Sequence, residues 1–165
     1  MIPQIKKILY ATDLSKNSSY AFLHATDMAK RYGAKIVIIH AIQPIPPYAE
    51  FYPPIAVGKK DQEESVEEIK LHLQRFCKKT ETQIGSPCVE LVSKILVPLG
   101  HPPEEILNAA NEEGCDVIVL GTHGKGFLAH TFLGSVSSAV LHRTQKPVFI
   151  IPLPSEEAST DWDGI

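Results

Sequence analysis

The sequence predicts an α/β fold, in which a single doubly wound domain carries helices on both faces of a five-stranded, largely parallel sheet. Short apolar runs rich in Val and Ile alternate with longer segments whose apolar residues recur at helical spacing. Gly and Pro separate these segments. The 165 residues are 44% hydrophobic and 21% charged, which is typical of one globular domain.

The first three elements form a βαβ unit. The β-prone run at residues 8–11 stops at residues 12–15, a turn that also favours the start of a helix. Apolar residues then recur at helical spacing until Gly33, which ends the helix. The apolar run at residues 36–42 predicts a strand that is covered on both faces.

A proline-rich segment follows this unit. Residues 43–60 contain five of the thirteen prolines, with aromatic residues between them, so we expect neither a helix nor a central strand there. Two interpretations remain open. The segment is either a lid or contact surface, or a loop that its own aromatic side chains hold against the domain.

The rest of the chain continues the alternation of helices and strands. The predicted elements are a helix from residue 61 with Val66, Ile69, Leu73 and Phe76 on one face, a strand at 89–97, a helix at 104–113, a strand at 116–120, a helix at 135–143 and a strand at 147–152. Prolines bracket the last strand, which favours an edge position. We expect one folded domain at residues 1–152 and a loosely ordered acidic tail at 153–165.

Composition excludes several classes of protein. The formal net charge of −3 argues against a nucleic-acid-binding surface. No apolar run reaches the ~20 residues of a membrane helix, and the N-terminus lacks a signal-peptide pattern, so we expect a cytoplasmic protein without a membrane partner. Cys77, Cys88 and Cys115 include no Cys-x-x-Cys pair, which argues against a disulfide framework or a zinc site and predicts buried, reduced thiols.

The strongest candidate site begins at Gly121, His123 and Gly124, directly after the predicted fourth strand. Glycines at the end of a buried strand let the backbone approach a ligand, and the next helix, from Gly134 and Ser135, offers unpaired N–H groups to an anion. No Asp or Glu occurs between residues 117 and 155. The pattern therefore indicates phosphate binding, with ordinary turn and helix-cap chemistry as the alternative.

The crevice at the carboxyl end of the sheet could hold a nucleotide. In doubly wound sheets, ligands bind where the winding direction reverses. If the first and fourth strands are neighbours there, Thr12 and Asp13 face Gly121 and Gly124 across one crevice. A carboxylate on one wall and an anion cradle on the other suit a nucleoside and its phosphates.

Other catalytic and binding motifs do not fit. Phe127 stands where a Walker A motif needs Lys, and a possible dinucleotide pattern lies after the wrong strand, with no acid at the required distance. The chain has no Gly-x-Ser-x-Gly or His-Glu-x-x-His motif. His40, within an apolar strand, is interpreted as a core histidine, and His123 is only a candidate base.

Taken together, these residues resemble the universal stress protein family. The resemblance runs from residue 8 to residue 152, and its most specific part is Gly-x2-Gly-x9-Gly-Ser/Thr, here Gly121, Gly124, Gly134 and Ser135. That motif marks the ATP-binding members of the family. The resemblance implies the strand order 3-2-1-4-5 and a homodimer that pairs through the fifth strand, Val148–Ile151.

The resemblance also assigns site residues and a ligand. Asp13 and the backbone of Thr12 and Ala41 would lie at the adenine and ribose. The ribose and phosphates would be bound by residues that follow the fourth strand or start the last helix, namely Gly121, His123, Gly124, Gly134, Ser135, Val136 and Ser137. The expected ligand is ATP, or alternatively ADP or AMP, with Mg²⁺ bound chiefly by the phosphates.

The resulting hypothesis is a stress-response regulatory protein that acts as a nucleotide-dependent homodimeric switch, with an unknown protein partner. One alternative is a nucleotide-free interaction module of the same fold. Another is a weak ATPase or phosphotransferase, which the absence of a convincing general base disfavours.

Overall fold

The described residues of the computed structural model are 1–44, 59–122 and 133–152. They contain a parallel sheet of β1 (Lys7–Ala11), β2 (Lys35–Ile39), β3 (Val92–Leu96), β4 (Val117–Gly121) and β5 (Val148–Ile151). The strand order is β3-β2-β1-β4-β5, so β1 lies beside β4 at the point where the winding reverses and β5 is an edge strand. The predicted fold class and strand order are confirmed.

Helices cover both faces of the sheet. They are α1 (Lys16–Tyr32), α2 (Lys59–Lys79), α3 (Glu81–Ile84), α4 (Cys88–Leu91), α5 (Pro102–Glu112) and α6 (Ser135–Arg143). The predicted start and end of α1 are confirmed, because the Ser15 hydroxyl accepts a hydrogen bond from the Ser18 amide and Gly33 adopts a left-handed φ of 64°. Within the described part of the chain, each helix is too short or too polar to cross a membrane.

Alternation along the central strands divides the core into two layers. Tyr10 of β1 points to one face, where its ring centroid lies 5.1 Å from that of Phe22, which in turn lies 5.3 Å from that of Phe76. Leu9 points to the other face and packs in a cluster with Ile106. Burial of residues from β1 and β4 in both layers fixes the register of the sheet.

Several predicted boundaries are wrong, among them the start of α5, which is Pro102 rather than residue 104. Strand β2 ends at Ile39 rather than at residue 42. Residues 89–91, predicted as the start of the third strand, belong to α4, whose Cys88 amide donates to the Glu81 carboxylate at 3.0 Å. Helix α2 starts within the segment predicted to lack a helix, at Lys59. The remainder of the proline-rich segment, residues 45–58, and the predicted tail at 153–165 lie outside the described residues.

The cysteines also differ from the prediction. Cys77 and Cys88 form a disulfide with Cα atoms 5.8 Å apart, because α3 folds back between α2 and α4. A sequence separation of 11 gave no sign of this approach. Cys115 is a buried free thiol, as expected, and burial raises its pKa to about 11.

Polar groups at the amino end of the sheet are paired with one another. The Asp116 carboxylate accepts hydrogen bonds from the Lys6 and Lys7 amides at 2.8 and 2.9 Å. The Lys7 ammonium donates to the Glu113 carbonyl at 2.8 Å, and the Lys146 ammonium donates to the Cys115 carbonyl at 2.6 Å. This end of the sheet is therefore closed by side chain–backbone hydrogen bonds.

Candidate functional site

A crevice of about 340 Å³ opens at the carboxyl end of the sheet, between the ends of β1 and β4. Its size lies within the range of small-molecule sites. The lining residues are Ala11, Thr12, Asp13, Ser18, Ile39, His40, Ala41, Pro102, Ile106, Leu120, Gly121, Gly134, Ser135, Val136 and Ser137. They include every predicted site residue that the structure describes, whereas His123 and Gly124 lie outside the described residues.

One wall of the crevice is the loop between β1 and α1. The Asp13 carboxylate accepts a hydrogen bond from the Ser15 amide at 3.0 Å, and the Thr12 hydroxyl accepts one from the Leu14 amide at 3.0 Å. Thr12 and Ser18 hydroxyls lie 2.8 Å apart. Among the described lining residues, Asp13 is the single Asp, Glu, Lys or Arg. The loop thus presents one carboxylate in a fixed place, which we call the Asp13 wall.

The opposite wall is the first turn of α6, the α6 wall. The Ser138 amide donates the first hydrogen bond within the helix, to the Gly134 carbonyl at 2.9 Å. The amides of Ser135, Val136 and Ser137 come before Ser138, so they have no hydrogen-bond acceptor within the helix. The N-cap residue, Gly134, has no side chain that could accept a hydrogen bond from them. The first turn contains no acidic residue. These amides form a concentration of positive partial charge on the crevice.

One predicted contact needs correction. The Gly134 amide already donates to the Thr122 carbonyl at 2.7 Å, so it is engaged within the protein rather than directed at a ligand. The Thr12 amide donates to the Ile39 carbonyl at 2.9 Å and so joins the end of β1 to β2. The Ser137 hydroxyl donates to the Gly121 carbonyl at 2.7 Å and joins α6 to the end of β4.

The crevice is bordered by the starts of three helices, and they differ in what they offer an anion. The Ser15 side chain caps α1. Helix α5 starts with Pro102 and Pro103, which carry no N–H. Helix α6 has a glycine cap without a side-chain hydrogen bond. Of these three helices, α6 is the one whose first turn has neither a capping side chain nor a proline among the described residues.

His40 was interpreted from sequence as a core histidine, but it is half-buried and lines the crevice. Its Nδ1 lies 2.8 Å from the Thr12 carbonyl. Because a carbonyl only accepts, Nδ1 donates the proton of this hydrogen bond. Sequence reasoning also missed Ser18, Pro102 and Ile106. His40 is next to the predicted site residue Ala41 and directly follows the end of β2. That position in the sequence could have indicated that His40 lines the crevice.

The described residues provide no ready-made metal centre. Within the part of the chain that the structure describes, no group of three or more His, Cys, Asp or Glu side chains lies close enough to hold a metal ion. Asp13 is the one carboxylate among the described lining residues. A divalent cation in this crevice would therefore take most of its oxygen ligands from another molecule.

Comparison with known proteins gives a consistent family. The sequence profile of the Universal stress protein family matches residues 4–152. Universal stress protein MJ0577 of Methanocaldococcus jannaschii is 31% identical over 152 residues, which cover 88% of this chain and 94% of that protein. The solved structure of MJ0577 superposes with a TM-score of 0.72 at 27% identity and covers 93% of this chain and 100% of that one.

Two more distant solved structures contain nucleotides. A universal stress protein from Archaeoglobus fulgidus in complex with dAMP has a TM-score of 0.57 and 20% identity, covering 92% of this chain and 99% of that chain. A universal stress protein in complex with cAMP has a TM-score of 0.56 and 22% identity, covering 90% of this chain and 98% of that chain. At these identities the likeness concerns the fold.

Proposed function

The chain belongs to the universal stress protein family, and we propose that it is a cytoplasmic stress-response regulator that binds an adenine nucleotide. The observation that carries this proposal is the pairing of two walls across one crevice. The Asp13 wall presents a carboxylate, and the α6 wall presents the amides of Ser135, Val136 and Ser137. The dAMP and cAMP bound by two structural relatives support an adenine nucleotide as the ligand class.

The two walls divide the nucleotide between them. The phosphates accept hydrogen bonds from the α6 amides and the Ser135 hydroxyl, each charge-assisted bond contributing roughly 1.5–3 kcal/mol. The ribose donates to Asp13, and the adenine lies beside Ala41. Gly121, His123 and Gly124 complete the site according to the family resemblance. ATP accepts more hydrogen bonds from the α6 wall than ADP or AMP does, because it has the largest number of phosphate oxygens.

Mg²⁺ enters this proposal as a partner of the phosphates. The described residues offer it one carboxylate, Asp13, and no cluster of ligands. Phosphate oxygens and water supply the remaining ligands of Mg²⁺ in most nucleotide sites, so the residues present fit a cation that arrives with ATP.

The proposed switch is a homodimer that pairs through β5, with a second, unknown protein partner. Strand β5 is the last strand in the sheet order, next to β4, and Phe149 is 43% exposed. An apolar edge strand of this kind favours pairing with another chain. Nucleotide binding would stabilise the dimer to the extent that the dimer binds the nucleotide more tightly than the monomer does.

Calorimetric titration of ATP with Mg²⁺ tests the nucleotide site. Ser135→Glu places a negative charge at the N-terminus of α6, which the helix dipole stabilises, so we expect the variant to fold. The same charge repels the phosphates of ATP, so we expect the affinity for ATP to fall about tenfold or more. Ser138→Glu is the matched control, with the same change one turn further along α6 at a residue outside the described lining. Equal ATP affinity in both variants and the unmodified protein would refute the site, as would no ATP binding at all, the behaviour of a nucleotide-free module.

A further inference from the structure

Asn17 is a buried amide that lies behind the crevice rather than among its described lining residues. It occupies the first turn of α1 and is 5% exposed. Its Nδ2 donates to the Ile151 carbonyl at 3.2 Å, and its Oδ1 accepts from the Thr122 hydroxyl at 3.5 Å. One side chain of α1 therefore reaches the ends of both β4 and β5.

The end of β4 is packed closely against this amide. A Cβ placed on Gly121 would lie 2.5 Å from Oδ1 of Asn17, a separation that real Cβ atoms do not adopt. Glycine at this position therefore lets the backbone of β4 touch the Asn17 amide directly. The Thr122 amide donates to the Ile151 carbonyl at 3.1 Å, so Asn17 and Thr122 share one acceptor on β5.

The other side of the same short segment contacts α6. The Thr122 carbonyl accepts from the Gly134 amide at 2.7 Å, and the Gly121 carbonyl accepts from the Ser137 hydroxyl at 2.7 Å. Asn17 lies four residues after Asp13 in the chain. The N-cap of α1, Ser15, lies between the two. The chain therefore connects the Asp13 wall to Asn17, and the contacts of Asn17 with Gly121 and Thr122 connect it to the α6 wall.

We propose that Asn17 is a positioning residue that sets the separation between the Asp13 wall and the α6 wall. This inference rests on the proposed nucleotide binding. Asn17 holds Gly121 and Thr122, and the start of α6 is hydrogen-bonded to both of these residues. A ligand that contacts both walls depends on their separation. A ligand that contacts only the Asp13 wall does not.

This difference separates positioning from simple stabilisation. ATP spans both walls, whereas adenosine lacks phosphates and contacts the Asp13 wall alone. Asn17→Ala should weaken ATP binding about tenfold and adenosine binding less than about twofold. A purely structural role would weaken both ligands by the same factor, because it would act through the fraction of folded protein.

Calorimetric titrations of ATP and adenosine test the proposal. Ser19→Ala is the matched control, because Ser19 is fully buried in the same helix and its hydroxyl bonds only to the Ser15 carbonyl among the contacts described. It should leave the ratio of ATP to adenosine affinity unchanged. If Asn17→Ala does not yield folded protein, Asn17→Ser carries the same expectation, since its hydroxyl is too short to reach Ile151.

The outcomes distinguish the two proposals. A fall in the affinity ratio in Asn17→Ala but not in Ser19→Ala supports the positioning role. An unchanged ratio in Asn17→Ala overturns that role and leaves nucleotide binding intact. An unmodified protein that binds neither ATP nor adenosine overturns the proposed function and this inference together.

Discussion

The two ends of the sheet are built from the same strands and differ in how their polar groups are used. At the amino end, the Asp116 carboxylate and the Lys7 and Lys146 ammonium groups bond to nearby backbone atoms. At the carboxyl end, a crevice separates the Asp13 carboxylate from the amides that start α6. The polar side chains named at the amino end form hydrogen bonds within the protein. At the carboxyl end, the first amides of α6 can still donate to a ligand.

Strand direction explains the difference. Parallel strands with crossover helices bring helix C-termini to one end of a sheet and helix N-termini to the other. The amino end can be closed by lysines that donate to carbonyls, as at Glu113 and Cys115. The carboxyl end gathers N–H groups, which favour an anion. Changes at the amino end should therefore alter stability alone, and changes at the carboxyl end should alter stability and binding.

The largest expected effect at the amino end comes from the disulfide of Cys77 and Cys88, just before β3. Removing it with the double variant Cys77→Ser/Cys88→Ser should lower the free energy of unfolding by about 2–4 kcal/mol and leave ATP affinity unchanged. Denaturant unfolding with and without a thiol reductant measures the difference. The reductant should have no further effect on the double variant. Alkylation of all three cysteines in unfolded, unreduced protein would contradict the disulfide.

Gly121→Ala tests the carboxyl end. The new Cβ meets the Asn17 amide, so we expect a loss of about 1–3 kcal/mol in the free energy of unfolding together with weaker ATP binding. In an Asn17→Ala background the space is free, and the further loss should shrink. A thermodynamic cycle of the two single variants and the double variant measures this coupling. Additive losses would mean that Gly121 and Asn17 do not constrain each other.

Asp116→Ala is the corresponding change at the amino end. It removes the acceptor of the Lys6 and Lys7 amides, and we expect a loss of about 1–2 kcal/mol in the free energy of unfolding without any change in ATP affinity. Asp116→Asn keeps an acceptor oxygen and should lose less. Chemical unfolding and calorimetry on the same samples measure both quantities. Weaker ATP binding in Asp116→Ala would break the separation between the two ends.

The smallest expected effect concerns the exposed ion pair between α5 and α6. Arg143 donates to both Glu104 oxygens at 2.6 and 2.7 Å and lowers the pKa of that carboxyl below its ordinary value of 4.5. A lowered carboxyl pKa contributes stability that is fully present above the ordinary pKa and is lost as the pH falls through the lowered value. The melting temperatures of the unmodified protein and Glu104→Gln should therefore differ slightly at neutral pH and converge in acid. A difference that grows in acid would contradict this sign.

Sequence reasoning predicted the parts that follow from local chemistry. Strand β4 and helix α6 were recognised because apolar runs, glycines and helix caps are local signals. The approach of Cys77 to Cys88 and the amide of Asn17 beside Gly121 depend on contacts between distant segments, which spacing does not encode. His40 was misjudged for the same reason, since its partner is the carbonyl of Thr12, in the loop that follows the neighbouring strand β1.

The most direct test of nucleotide binding across the two walls is an NMR titration that follows backbone amides with ATP and with adenosine. We predict that ATP shifts the amides of Ser135, Val136 and Ser137 together with that of Asp13, and that adenosine shifts Asp13 but leaves the three α6 amides nearly unchanged. Shifts confined to other parts of the chain, or α6 amides that respond equally to both ligands, would contradict the assignment of the phosphates to α6.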